Sequence, residues 1–182
     1  MIENIRACSK CNLCNNQEPL LDDVKACQIF WVGLSAKKVS IENEKPLSPI
    51  TNSGKLIFNV EEQCSGVITY KTNLVKCVPL DAQQKLRYPN QREIDSCFPN
   101  LVNEIKELLP KIVFLLGDKV ATTISKQLHL DFLGWDGFNY NFTKHNGIYY
   151  VPIHHPSYVY VYKRKQLDTY IKSIANMIGM LL

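Results

Sequence analysis

Four short runs with strand character most strongly constrain the fold of this chain. Two of them, at residues 28–34 and 111–117, are continuously apolar, which is typical of strands buried on both faces of a parallel sheet. The others lie at residues 67–73 and 148–153. Helical patterns alternate with them, at about residues 54–63, 91–109, 118–128 and 166–181. The alternation predicts a three-layer α/β/α sandwich around a mainly parallel, four-stranded central sheet.

Three segments depart from this simple alternation. Residues 35–51 contain Pro46 and Pro49 and predict a long loop, after which Asn52 or Ser53 is expected to cap a helix. Pro99 lies inside the longest helical pattern, where it should kink or divide the helix. Residues 129–147 are either irregular or a pair of strands. The chain contains no repeat and no interior linker, so we expect residues 1–182 to form a single domain.

The composition is that of an ordinary globular protein. Of 182 residues, 46% are hydrophobic and 21% are charged. No apolar run approaches the roughly 20 residues that span a bilayer, and residues 1–6 lack the apolar core of a signal peptide. We therefore expect a cytoplasmic protein that does not bind membranes, and a monomer. The net charge of +4 permits binding to nucleic acid without requiring it.

The seven cysteines point to metal or redox chemistry, because structural disulfides are rare in the cytoplasm. Cys8 and Cys11 form a Cys-x-x-Cys pair, a spacing at which two thiolates can face one metal centre, and Cys14 follows closely. Cys27 and Cys64 stand alone and are interpreted as small buried hydrophobic residues.

The turn His155-Pro156-Ser157 follows the last predicted strand directly. The proline restricts the backbone and keeps Ser157 beside the imidazole, at the carboxyl end of a strand. In an open α/β sheet, ligands bind at that end. An ordinary strand-ending turn is the alternative interpretation.

Residues 32–36, 70–77, 110–117 and the His-Pro-Ser turn together resemble the iron–sulfur uracil-DNA glycosylases of families 4 and 5. The resemblance covers nearly the whole chain. It implies a DNA repair enzyme that flips uracil, or a related deaminated base, out of DNA and hydrolyses its N-glycosidic bond. It also implies a structural [4Fe–4S] cluster held by Cys8, Cys11, Cys77 and Cys97, with Cys14 as a rival in the first pair. Zinc in the same four thiolates is the competing interpretation.

The same resemblance assigns roles to residues at the strand ends. His155 would donate a hydrogen bond to O2 of the departing uracil, where negative charge develops, and the amide of Asn73 would bind the edge of the base. His154 is expected to be structural or exposed. The remaining substrate-binding residues would be Gly33, Leu34, Ser35, Leu47 and Ser157.

Two further segments would contact DNA. Ser53 and Gly54 match the family's helix start, where backbone N–H groups can meet a phosphate. The segment after Ser157 would be a loop that enters the minor groove, with aromatic wedges and phosphate-binding cations at Tyr158, Tyr160, Lys163 and Arg164. Lys37 and Lys38 are either phosphate contacts or solvated loop charges.

Two departures from the family patterns support an alternative function. Gly33-Leu34-Ser35-Ala36-Lys37 lacks the carboxylate of family 4 and the proline of both families. Lys45-Pro46-Leu47 stands where the family carries an aromatic ring over the base, although base stacking is worth about 1–3 kcal/mol. Ser35, Asn52 and Ser157 remain possible partners of the catalytic water. The alternative is a catalytically weak or inactive relative that binds DNA or a protein partner.

Overall fold

The computed structural model describes residues 2–182. Strands and helices alternate through most of it, as the apolar patterns predict. The strands are β1 (Ile29–Ser35), β2 (Thr69–Val75), β3 (Ile112–Leu116), β4 (Thr143–His145) and β5 (Ile148–Ile153). The helices are α1 (Asn52–Glu61), α2 (Gln91–Leu108), α3 (Asp118–Leu128), α4 (Pro156–Tyr162) and α5 (Leu167–Leu181).

The sheet has the strand order β2-β1-β3-β5-β4, and every neighbouring pair except β4 and β5 is parallel. The predicted α/β fold with a mainly parallel sheet is therefore confirmed. The sheet has five strands rather than the four predicted. The additional strand, β4, is an antiparallel edge strand of three residues, Thr-Lys-His, none of which is buried. It lies in the segment that was predicted as either irregular or a strand pair, and it has no apolar pattern.

Helices cover both faces of the sheet and make two apolar cores. On one face, α2 and α3 pack against Phe30, Val32 and Val113. On the other, α1, α4 and α5 pack against Trp31 and Phe114, whose rings stack with centroids 4.5 Å apart. The side chains that alternate along β1 thus enter opposite cores, which explains why its sequence is apolar from Ile29 to Leu34.

Three local predictions are corrected by the structure. Pro99 does not divide the longest helix, because α2 is continuous and buries Phe98, Leu101 and Ile105 against the sheet. Thr51, rather than Asn52 or Ser53, caps α1, and its hydroxyl accepts the Gly54 N–H at 3.0 Å. The segment after His155 begins as a helix, α4, and not as a loop.

The segment before β1 runs along the outer edge of β2. Two 3-10 turns, Ile2–Ile5 and Asn12–Asn15, precede an extended stretch. The Leu20 N–H donates to the Lys76 carbonyl at 2.8 Å, and Asp22 accepts the Lys71 N–H at 3.0 Å. The sheet edge is thereby covered. Among residues 2–182, no helix is both long and apolar enough to span a membrane.

Candidate functional site

The candidate site lies where the four parallel strands end. The chain passes from β1 to β2 on one side and returns to β3 on the other, so the strand order reverses at β1. Such a reversal leaves a crevice at the carboxyl edge of a sheet, where ligands bind in open α/β folds. Gly33 and Asn73 are direct neighbours across β1 and β2, and His155 follows β5.

Two adjoining hollows occupy this edge. The inner pocket has a volume of about 230 Å³ and is lined by Leu20, Gly33, Ser35, Lys37, Lys45, Leu47, Thr51, Ser53, Asn73 and His155. The outer cleft, of about 670 Å³, is lined by residues 34–37, 86–88 and 116–119 together with His155, Ser157 and Tyr158. Ser35, Lys37 and His155 line both hollows. The two principal predicted residues, Asn73 and His155, therefore meet in the inner pocket.

Asn73 is buried and its amide lies against the backbone of Gly33. A Cβ atom at residue 33 would stand 2.4 Å from Asn73 Oδ1, closer than real atoms approach. A side chain at residue 33 would therefore displace the amide, which is confined between Gly33 and the pocket. An asparagine amide both donates and accepts hydrogen bonds, so it can pair with a ligand edge that carries both groups.

His155 is the N-cap of α4, and this position defines its tautomer. The Ser157 N–H donates to His155 Nδ1 at 3.2 Å, and the Ser157 hydroxyl oxygen lies 2.7 Å from the same nitrogen. Because Nδ1 accepts a backbone N–H, the proton of the neutral ring is carried by Nε2. Burial lowers the pKa of His155 below its usual value of 6.5, which also favours the neutral ring. His155 is therefore a neutral donor through Nε2–H.

Gly117 allows the close approach of β3 to this histidine. Its φ of +89° is unfavourable for residues with a side chain, and a Cβ there would lie 3.0 Å from His155 Cβ. The backbone of the β3 end thus packs directly on His155.

His154 has different surroundings. Its Nδ1 lies 3.0 Å from the Tyr140 hydroxyl, and its ring contacts Trp135, Phe138 and Tyr158. It does not line the inner pocket.

The walls of the inner pocket are aliphatic and cationic. Leu20 and Leu47 are its large apolar residues, and no Phe, Tyr, Trp, Asp or Glu is among the described residues that line it. Lys37 pairs with the buried Glu44 at 2.6 Å, and Lys45 pairs with Asp23. The pocket therefore presents two cations whose charges are partly compensated from outside it.

The other residues singled out from the sequence lie around the two hollows. Ser53 lines the inner pocket, whereas Leu34 and Ser157 line the outer cleft. Gly54 is buried against the carbonyls of Leu47 and Ser48, and its N–H is bonded to Thr51, so it is not free to meet a phosphate. Asn52 is exposed and lies outside both hollows.

The segment predicted to contact DNA continues from the outer cleft. Tyr158 lines that cleft and is 41% exposed. Tyr160 packs against the core of α1, α4 and α5 and lies under the Arg164 guanidinium, 5.5 Å from its ring centroid. Lys163 and Arg164 are exposed. Three of the four residues thus reach the surface, while Tyr160 is partly buried.

Five cysteines gather on the α2 face, beside β2. Cys77 and Cys97 are buried in a small apolar cluster with Leu13, Val75 and Ile94, and Cys11 and Cys14 pack against it. The Asn100 amide donates to the thiols of both Cys8 and Cys97, at 3.5 and 3.8 Å. Cys14 Sγ donates to the Cys11 carbonyl at 3.2 Å. All seven thiols of the chain are free.

These cysteines have the chemistry of a thiolate site. Burial raises the pKa of Cys77 to about 12, and the neighbouring Cys97, Cys11, Cys14 and Cys8 thiols add to the effect. A metal would replace these protons. Among residues 2–182, no three Cys, His, Asp or Glu side chains are already arranged to hold a metal ion. The donor set, four or five thiols from three segments, has the chemistry of a four-thiolate centre, and the side chains would close around the metal when it binds.

Some pocket residues were not predicted from the sequence. Leu20 belongs to a polar segment without periodicity, and Thr51 and Lys45 belong to the long loop after β1. Sequence spacing carries no signal for Leu20, because it reaches the pocket only through the pairing of its segment with the edge of β2.

Three comparisons with known proteins bear on this site. The family model of the uracil DNA glycosylase superfamily matches residues 17–178. The chain belongs to the uracil-DNA glycosylase superfamily. A type-4 uracil-DNA glycosylase from Sulfurisphaera tokodaii is 28% identical over 171 residues, covering 91% of this chain and 68% of the relative. The crystal structure of SMUG2 from Pedobacter heparinus has the same fold, with a TM-score of 0.53 and 14% identity over 85% of this chain and 76% of its own.

The superfamily match includes Asn73, His155, Cys77 and Cys97. It begins at residue 17, after Cys8, Cys11 and Cys14. The first cysteines thus lie outside the part that the superfamily model matches.

Proposed function

We propose that this member of the superfamily is a DNA glycosylase that removes uracil, or a related deaminated base, from DNA by hydrolysing the N-glycosidic bond. The observation that carries the proposal is the meeting of the Asn73 amide and the His155 imidazole in the inner pocket. Such a base must leave the helical stack and enter a shaped pocket. Uracil presents a ring N–H beside a carbonyl oxygen, which complements the acceptor and donor of the Asn73 amide.

His155 would stabilise the leaving group. Uracil departs as an anion, and a donor aimed at its O2 interacts most strongly when that charge has formed. A neutral imidazole with its proton on Nε2 can donate this bond without transferring the proton. Lys37 also lines the pocket, but its ammonium is paired with Glu44, so the donor to the leaving group would be His155.

The attacking water would be held by neutral groups. Because the described lining of the inner pocket contains no carboxylate, water activation by a general base has no acidic candidate there. Ser35 lines both hollows and can hydrogen-bond a water between the base and the sugar. Leu20 and Leu47 would cover the base with apolar contact in place of a stacked ring.

The surface beyond the outer cleft would bind the DNA strand. Tyr158 and the exposed Lys163 and Arg164 extend from His155 along α4 and the turn that follows it. These are an aromatic residue that can stack on a base and two cations that can contact phosphates. The single five-stranded sheet that carries the pocket supports a single-domain enzyme, and we propose that it acts as a monomer.

The gathered cysteines would hold a [4Fe–4S] cluster, with Cys8, Cys11, Cys77 and Cys97 as its ligands. When bound, it would supply a structural cross-link between the segment before β1 and the residues on either side of the loop between β2 and α2. Zinc uses the same ligand set, and iron and sulfide analysis of the purified protein distinguishes the two.

Base excision on a labelled oligonucleotide tests the proposal. The uracil-containing strand is presented single-stranded and paired with guanine, and abasic sites are cleaved with alkali. We expect product with stoichiometric protein and only a slow residual rate with Asn73→Ala, measurable in long single-turnover incubations. A wild-type rate in Asn73→Ala would contradict the site.

A non-catalytic DNA-binding protein is the second candidate function. The absence of both an acid and an aromatic ring from the described lining of the inner pocket favours it. Failure to release uracil, hypoxanthine or xanthine, by protein that retains its metal and binds DNA, would establish this second candidate instead.

A further inference from the structure

A buried ion pair lies beneath the inner pocket. Lys76, one residue beyond β2, is 1% exposed, and Glu104, in α2, is 0% exposed. The Lys76 ammonium lies 2.5 Å from Glu104 Oε2. It also donates to Thr72 Oγ1 at 2.7 Å and to the main-chain oxygen of Asn73 at 2.5 Å. Its three hydrogens are therefore all used.

Glu104 is equally well satisfied. The Tyr70 hydroxyl donates to Oε1 at 3.1 Å, and the Thr72 hydroxyl lies 3.0 and 3.1 Å from the two carboxylate oxygens. Tyr70 and Thr72 are both 0% exposed. The network therefore connects α2 to β2 entirely within the protein interior.

Stability alone does not explain this arrangement. Removing two charges from water is unfavourable, and apolar residues of similar size often stabilise a core as well as a buried ion pair does. What distinguishes the Lys76–Glu104 pair is the carbonyl that it binds. That carbonyl belongs to Asn73, whose amide is confined against Gly33 at the pocket.

The main chain of Lys76 extends the connection in two directions. Its N–H donates to the thiol of Cys97 at 3.4 Å, and its carbonyl accepts the N–H of Leu20 at 2.8 Å. Lys76 is thus hydrogen-bonded to Asn73, to Leu20 in the pocket wall and to Cys97 in the cysteine cluster.

We propose that Lys76 and Glu104 are positioning residues that hold the backbone of Asn73, so that its amide keeps the orientation needed to bind the base edge. Neither side chain lines the inner pocket, and both act through Asn73. This inference rests on the proposed function, since it takes Asn73 to be the residue that binds the base.

The double variant Lys76→Met/Glu104→Gln tests the inference. It removes both charges together and leaves no unpaired buried charge, so the protein is expected to fold. Single-turnover excision should slow by roughly a hundredfold, the loss typical of a misplaced reacting group. Affinity for an undamaged oligonucleotide should not change. Where Lys76→Met/Glu104→Gln does not fold, Lys76→Met/Glu104→Met replaces it.

Combination with Asn73→Ala separates positioning from general damage. Residues that act through one group show non-additive effects. In the Asn73→Ala background, the double variant should therefore cost no further rate. The same loss in both backgrounds, or a wild-type rate in the double variant, would overturn the inference.

A second ion pair on the same strand is the matched control. Lys71 pairs with Glu61 at 2.7 Å, and its ammonium bonds that carboxylate rather than any atom of Asn73. We expect Lys71→Met/Glu61→Gln to retain the wild-type excision rate. A hundredfold loss in this control as well would contradict a role specific to Lys76.

A crystal structure of Lys76→Met/Glu104→Gln tests the positioning independently of activity. The amide of Asn73 should leave Gly33 or occupy more than one rotamer. An unchanged amide would overturn the inference even in an active enzyme. A wild-type protein without excision would instead refute the proposed function, and the crystal structure would still decide the inference.

Discussion

His155 and His154 are neighbours in sequence with different chemical surroundings. His155 lines both hollows and accepts the Ser157 N–H at Nδ1, which leaves its proton on Nε2, whereas His154 is hydrogen-bonded to Tyr140 within a group of aromatic rings. We expect His155→Ala to reduce single-turnover excision by about 10²–10³, the usual loss for one oxyanion donor. His154→Ala should retain most of the rate. Equal losses in both variants would contradict the assignment of the donor.

The protonation of His155 predicts the acid limb of the pH profile. Burial lowers its folded-state pKa below the usual 6.5, so the neutral form of the ring predominates at pH 6.5 and above. Because the unfolded chain binds this proton more readily, the contribution of His155 to stability is also lost as the pH falls through the folded pKa. Excision should level off as the pH rises above 6.5 and decline at lower pH, because a proton on Nδ1 breaks the bond from the Ser157 N–H that orients the ring. Burial also lowers the pKa of His154, so the profile is measured in His154→Ala as well. A decline that begins above pH 6.5 in both proteins would contradict a neutral donor.

Gly33 provides a direct test of the confined amide. In Gly33→Ala, the new methyl group would lie 2.4 Å from Asn73 Oδ1, so the amide must move. We expect a loss of excision of roughly a hundredfold. Gly179→Ala is the control, since a Cβ there meets no atom within 4 Å and alanine is the better helix former. Wild-type activity in Gly33→Ala would show that excision does not depend on the placement of the Asn73 amide against residue 33.

At the scale of elements, the sequence predicts the strands that are buried on both faces. It does not predict the features that depend on strand pairing or on helix capping. The apolar runs of β1, β3 and β5 can be recognised because each enters a core on both faces. Thr143–His145 could not, because an exposed edge strand needs no apolar residue. Asn73 and His155 were identified from their motifs. Leu20 was missed because a long-range hydrogen bond, and not local sequence, brings it to the pocket.

The segment after His155 shows how a cap changes the interpretation of a sequence. Its aromatic and basic residues were expected in a loop, but His155 accepts the Ser157 N–H and Pro156 occupies the first turn, which starts α4. The exposed cations follow the end of this helix. We expect Lys163→Ala and Arg164→Ala each to reduce the salt dependence of DNA binding by about one unit of slope, as loss of a phosphate contact does. Lys106→Ala, on the surface of α2, should leave the slope unchanged. A slope insensitive to all three substitutions would place the DNA elsewhere.

At the scale of the whole molecule, the cysteine cluster and the pocket are connected through the segment before β1. Its thiols lie with Cys77 and Cys97, and a few residues later Leu20 bonds to Lys76 and lines the inner pocket. A centre that holds the cysteines would therefore also hold one wall of the pocket. The network of Lys76 and Glu104 reaches the same pocket from beneath.

Loss of a ligand of the proposed cluster should therefore open the pocket without unfolding the sheet. We expect Cys77→Ser to lose its iron, to increase hydrogen exchange in residues 12–22, and to excise uracil more slowly because Leu20 no longer covers the base. Core amides of β1 and β3 should remain protected, since residues 29–33 and the whole of β3 are buried between two helical layers. Cys64→Ser is the control, because Cys64 packs against the opposite core. Cys14→Ser should retain iron if Cys8 and Cys11 are the ligands, and iron loss in it would place Cys14 in the ligand set. If hydrogen exchange of residues 12–22 is unchanged in iron-free Cys77→Ser, the hydrogen bonds to the edge of β2 are sufficient to hold this segment without the cluster.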